Sequence, residues 1–182
     1  IISCLGRIQD VKKAITMSFK RENSSIILIG KRKNELGGSI FYDLHNELGK
    51  NVPTPDLSEV KNQIYGITDC IEKGLVFACH DISEGGVAAS LCEMTFGNSI
   101  GCSVNIESKL STEKTLFSET GGFILETKNE NVESIDSIFN QYKLDVYVIG
   151  ITGGNKIKLN NAINITVDDA KKSWENGLRN KL

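Results

Sequence analysis

Four short apolar runs constrain this chain most. They are Ile26-Ile27-Leu28-Ile29-Gly30, Leu75-Val76-Phe77-Ala78-Cys79, Gly122-Phe123-Ile124-Leu125-Glu126 and Val146-Tyr147-Val148-Ile149-Gly150. Each is too brief for a helix and is rich in β-branched or aromatic residues, so each reads as a strand; the first reads as buried on both faces. Helical patterns separate them. The clearest spans 55–72, with Thr54 as N-cap, Pro55 at the first helical position and Asp56 at the positive end. Leu57, Val60, Ile64, Ile67 and Ile71 form its apolar stripe, and Gly74 stops it.

The remaining elements are weaker. Residues 14–19 alternate apolar and polar as a half-buried strand would, and 31–51 is polar loop in which Leu44 and Leu48 anchor one or two helical turns. Strands are predicted over 102–106 and, at an edge, 156–159, with Gly153-Gly154-Asn155 as a hairpin connection. Helices are predicted over 87–96, 111–117, 132–139 and 168–182, the last holding Ala170, Trp174 and Leu178 on one stripe with Trp174 as a core anchor. Strands and helices interleave from end to end, and some strands follow one another directly. The expected fold is therefore a layered α/β domain, a mixed central sheet flanked by helices.

A chain of 182 residues suits one domain and buries a sizeable core unaided. With 40% hydrophobic and 24% charged residues it is neither a disordered tail nor a collagen-like fibre. No apolar run approaches the roughly 18 residues of a membrane span, and no secretory leader opens the sequence, so no membrane partner and a cytoplasmic location are expected. The net charge of −2 offers no basic surplus for nucleic acid; Lys31-Arg32-Lys33 and Lys12-Lys13 read as solvated faces. Five cysteines without C-x-x-C spacing, and only two histidines, argue against a zinc site and for reduced, mostly buried thiols. No residue set for a metal is expected.

Two glycine-bearing segments carry the chemistry. In the first, a buried strand meets His80-Asp81-Ile82-Ser83-Glu84-Gly85-Gly86 and a helix follows. The first amides of a helix lack internal partners and the dipole adds partial positive charge, so such a junction suits an anion. Ser83 can donate to a phosphate oxygen or cap the helix. Asp81 can accept from a ribose or amino group, or hold a Mg²⁺-bound water. The same residues also suit a plain cap, with Gly85-Gly86 serving close packing alone. The second segment is Glu35-Leu36-Gly37-Gly38-Ser39, whose turn would expose consecutive backbone donors and a hydroxyl; taken alone it reads as a plain turn. Neither contains the P-loop lysine or G-x-G-x-x-G. No hydrolytic triad and no other catalytic residue can be argued.

The order of segments resembles a known family. L-G-R-I-Q-D-V and I-T-M-S-F-K come first, then I-I-L-I-G, E-L-G-G-S, C-H-D-I-S-E-G-G-V-A-A-S-L-C-E-M and V-I-G-I-T-G. Over nearly its whole length the chain is similar to the last domain of the phosphoribosylformylglycinamidine synthase subunit II family. Sibling families with this domain include aminoimidazole ribonucleotide synthetase, selenophosphate synthetase and thiamine-monophosphate kinase. The resemblance implies one domain over 1–182, cut from a longer chain, with the fold of aminoimidazole ribonucleotide synthetase C-terminal domains. It implies an ATP-dependent carbon–nitrogen ligase that uses Mg²⁺ to activate the amide oxygen of formylglycinamide ribonucleotide, after which glutamine-derived ammonia displaces phosphate. The implied partners are N-terminal domains of the same chain, which would hold most Mg²⁺ ligands, a glutaminase subunit and a small accessory subunit. The implied nucleotide contacts are Asp81 and Ser83, with His80, Gly85 and Gly86 in the same loop and Gly37, Gly38 and Ser39 secondary. Alone, the domain would be inactive. The alternatives are a sibling enzyme, or a scaffold that has lost its nucleotide.

Overall fold

The computed structural model describes residues 3–8 and 10–177. Seven strands form one sheet: β1 (Ser25–Ile29), β2 (Val76–Asp81), β3 (Cys102–Val104), β4 (Phe123–Thr127), β5 (Val146–Thr152), β6 (Lys156–Leu159) and β7 (Ile163–Thr166). Their spatial order is β2-β4-β1-β5-β3-β6-β7. Every neighbouring pair is antiparallel except β3–β6, so the sheet is mixed as predicted. Among the described residues six α-helices flank it: α1 (Ile40–Leu44), α2 (Leu57–Glu72), α3 (Gly86–Phe96), α4 (Thr112–Phe117), α5 (Val132–Gln141) and α6 (Val167–Asn176).

The central strand β1 is buried at every position and feeds both layers. Ile26 and Leu28 join a core with Leu91, Met94, Leu116 and Ala170 from α3, α4 and α6. Ile27 and Ile29 join a second core with Ile67, Ile135 and Phe139 from α2 and α5. Side chains alternate across a strand, so one apolar run serves two layers. On the α2/α5 side the helices stop short of β3, β6 and β7. There Val148, Ile151, Ser103, Lys158 and Asn164 are exposed.

Several expectations are corrected. Residues 14–19 form a single bridge, Thr16 to Ala78, and no strand. Phe19 dives under α3, its N–H meeting Met94 O, while the next two amides, of Lys20 and Arg21, turn to the buried Glu126 carboxylate at 2.7 and 2.9 Å. Helix α2 is capped by Asp56, which accepts from Ser58 and Glu59 N–H, so Thr54 and Pro55 precede it. Its buried face is Gln63, Gly66, Ile67 and Cys70, whereas Leu57 and Ile64 of the predicted stripe are exposed. Leu44 and Leu48 are exposed as well.

Gly153-Gly154-Asn155 is no simple hairpin: β3 lies between β5 and β6, and the turn wraps its start through hydrogen bonds to Gly101. Strand β6 is therefore interior, and the edge belongs to β7, which the sequence pattern did not reveal. Trp174 is 61% exposed and only leans on Phe96, so it anchors no core. Leu178 lies outside the described residues.

Candidate functional site

Strand β2 continues through His80 and Asp81, where the sequence pattern placed its end. The His80 ring is held between two carboxylates, Nδ1 at 3.1 Å from Asp81 Oδ1 and Nε2 at 2.9 Å from Glu93 Oε2. Since Glu93 lies on α3, His80 pins the strand to the helix. Ser90 adds a second tie, its Oγ 2.9 Å from Asp81 O. The Asp81 carboxylate remains largely exposed, as does Ser83.

The chain then turns sharply into α3. Gly85 sits at the N-cap in the left-handed region, φ 75°, and Gly86 follows at φ 66°. Two of the amides at this junction are engaged: Gly85 N–H donates to Glu119 Oε1 at 3.0 Å, and Gly86 N–H to Ser83 O at 3.1 Å. A Cβ on Gly86 would lie 2.7–2.8 Å from Leu116 O, Phe117 C and Ser118 O. Close packing of α3 on the end of α4 is thus what requires glycine there.

The second glycine segment is not open either. The N–H groups of Gly37, Gly38 and Ser39 donate to Asn51 O, Leu48 O and Leu36 O. The predicted display of free donors is therefore corrected: these bonds close residues 37–51 into a compact loop with its ends tied. Ser39 is buried, caps α1 by accepting from Tyr42 N–H, and donates to Leu36 O.

What joins the two segments is a third stretch, Ser118-Glu119-Thr120-Gly121. Glu119 Oε1 accepts from Ile40 N–H at 2.8 Å as well as from Gly85. Ser118 Oγ donates toward Lys33 O and Glu35 O, and Thr120 Oγ1 donates to Glu35 Oε2. The Arg32 guanidinium donates to Thr120 O and Gly121 O. Burial pulls the Arg32 pKa down to about 10, which leaves it charged at neutral pH. Phe41 stacks on Phe117, centroids 4.8 Å apart. Sequence reasoning missed Glu119 and Glu93. An acid and two hydroxyls before Gly121-Gly122 is the available signal.

The corner displays carboxylates and one exposed hydroxyl beside the positive end of α3. One cation of the junction, Arg32, is already bound to carbonyls. A polyphosphate seated here would need further positive charge from outside. Among the described residues no group of three or more His, Cys, Asp or Glu is placed to hold a metal ion. A cleft of about 490 Å³ lies beside the end of β1, lined by Arg32, Asn105, Ser108 and Tyr147 and by none of residues 80–86.

Comparison with known proteins places this architecture. Residues 21–160 match the family described as AIR synthase related protein, C-terminal domain. The chain belongs to that family. This AIR synthase related domain is 31% identical over 189 residues to the phosphoribosylformylglycinamidine synthase subunit PurL of Methanothrix thermoacetophila, a match covering 100% of this chain and 25% of that protein. The chain thus spans about a quarter of the length of that relative. Its fold is shared by PurL of T. maritima complexed with FGAR, at TM-score 0.75 and 16% identity, covering 88% of this chain and 30% of that one. T. maritima PurL complexed with ATP aligns at TM-score 0.69 and 17% identity, covering 88% and 27%.

Proposed function

We propose that this AIR synthase related domain is the C-terminal part of a phosphoribosylformylglycinamidine synthase subunit II. The reaction is the ATP-dependent conversion of formylglycinamide ribonucleotide to the amidine with glutamine-derived ammonia, a step of purine biosynthesis. One observation carries the reading: PurL matches this chain along its entire length. That T. maritima PurL is solved with ATP and with FGAR supports ATP as the nucleotide.

In this reading the β2–α3 corner is one wall of a nucleotide site. Asp81 and Ser83, exposed at the rim, are the side chains that meet the nucleotide, and His80 orients Asp81. Gly85 and Gly86 set the backbone path, while Gly37, Gly38 and Ser39 support the wall from behind. Mg²⁺ and cationic side chains come from companion N-terminal domains, because the wall itself is acidic. Phosphoryl activation is mostly positioning and charge neutralisation, and a wall whose Arg32 is already bound to carbonyls supplies little of the second. Alone, the domain is inactive. A glutaminase subunit and a small accessory subunit complete the enzyme.

A scaffold reading is favoured by one feature: Gly86 is explained by packing on α4 without any ligand. ADP affinity of the full chain, compared with an Asp81→Ala, Ser83→Ala double variant, separates the two. Losing hydrogen bonds to a charged ligand costs roughly 1.5–3 kcal/mol, so the variant should bind at least about tenfold more weakly. Equal affinity would leave the scaffold.

A further inference from the structure

We infer that Glu119 is the positioning residue of the corner, a clamp that makes the 37–51 loop and the start of α3 one unit. For its ligand the inference rests on the nucleotide reading above. Ile40 and Gly85 are far apart in sequence, yet their amides share one carboxylate oxygen, at 2.8 and 3.0 Å. Both amides sit at helix starts, where no intrahelical acceptor exists. The carboxylate is itself held in place. Ser118 before it is bonded to Lys33 and Glu35, and Thr120 after it to Glu35 and Arg32. Phe41 on Phe117 closes the same junction from the apolar side. The orientation of the Gly85 peptide, and with it the presentation of Ser83, therefore depends on an acid 34 residues further along the chain.

Glu119 has two effects of opposite sign on a phosphate. Its charge, close to the α3 terminus, weakens attraction for a second anion. Its geometry, by ordering the corner, strengthens binding through preorganisation. The inference is that geometry dominates, and the sign is measurable.

The test compares full-chain wild type with Glu119→Gln and Glu119→Ala. ADP affinity is read by calorimetry, and exchange of the Ile40 and Gly85 amides by NMR. The Gln carbonyl oxygen can accept both bonds, whereas Ala accepts neither. Exchange at both amides should rise at least about tenfold in Glu119→Ala, with ADP binding weakened about tenfold. In Glu119→Gln both should return to within about threefold of wild type. Tighter or unchanged ADP binding by Glu119→Ala overturns the inference, as does a Gln variant as defective as Ala. A wild type that binds no ADP removes the nucleotide reading. The clamp is then decided by exchange alone, and unaltered protection in Glu119→Ala refutes it.

Discussion

At Gly86 the space a side chain would need is filled by the chain's own backbone, with Leu116 O, Phe117 C and Ser118 O all inside 3.0 Å of an added Cβ. Its φ of 66° adds the left-handed penalty, about 1–2 kcal/mol for an L-residue. Gly85 has the same backbone problem, φ 75°, and an added Cβ there would lie 2.7 Å from a single side-chain atom, Ala89 Cβ, where Gly86 meets three backbone atoms. Gly86→Ala should therefore cost about 2–4 kcal/mol and Gly85→Ala about 1–2, read as the shift in urea midpoint at constant slope. Equal costs would mean that α3 is not seated on α4 as described. Four of the cysteines obey the same logic of enclosure. Burial raises Cys79 and Cys102 to about 12 and Cys70 and Cys92 to about 11, so they pack as small apolar groups.

Helix α2 shows how an element chooses its inner face. Isoleucines occur on both sides of it, so periodicity alone allowed the stripe through Leu57 and Ile64. Gly66 decides otherwise. The Phe139 ring of α5 lies within 2.7–3.1 Å of where a Gly66 Cβ would be, and that close approach turns Gln63, Ile67 and Cys70 inward. Asn62 and Asp69 fix the rotation by bonds to Tyr142 O and Tyr142 Oη. Ile67→Ala should lose about 2–4 kcal/mol of unfolding free energy, and Ile64→Ala less than about 0.5. Chemical denaturation of the two variants measures the contrast, and similar losses would contradict the rotation.

At the scale of the whole molecule, β1 links two separate cores. Ile26 and Leu28 look to one side, Ile27 and Ile29 to the other. Loss of either layer strips half the cover from the same strand, so the layers should unfold together. Leu91→Ala on the α3 side and Phe139→Ala on the α5 side should each cost about 3–5 kcal/mol. Both should retain one transition, coincident by far-ultraviolet circular dichroism and by Trp174 fluorescence. Two separated transitions in either variant would show the layers to be independent.

Strand and helix existence was legible in the residues because it rests on local patterns: β1, β2, β4 and β5 from apolar runs, α3 from the small-residue run after Gly86, and the end of α2 from Gly74. The junction before Gly85 and Gly86 was legible for the same reason, as a glycine-marked boundary between two clear elements, though β2 runs on through His80 and Asp81. Partnership was not. Which strand lies beside β6, which face of α2 is buried, why residues 14–19 leave the sheet, and that Glu119 holds Ile40 and Gly85 together all depend on groups distant in sequence. Hydrogen-bond acceptors and close contacts are satisfied across space, and a one-dimensional pattern carries no record of which amide an acid 34 or 79 residues away will meet.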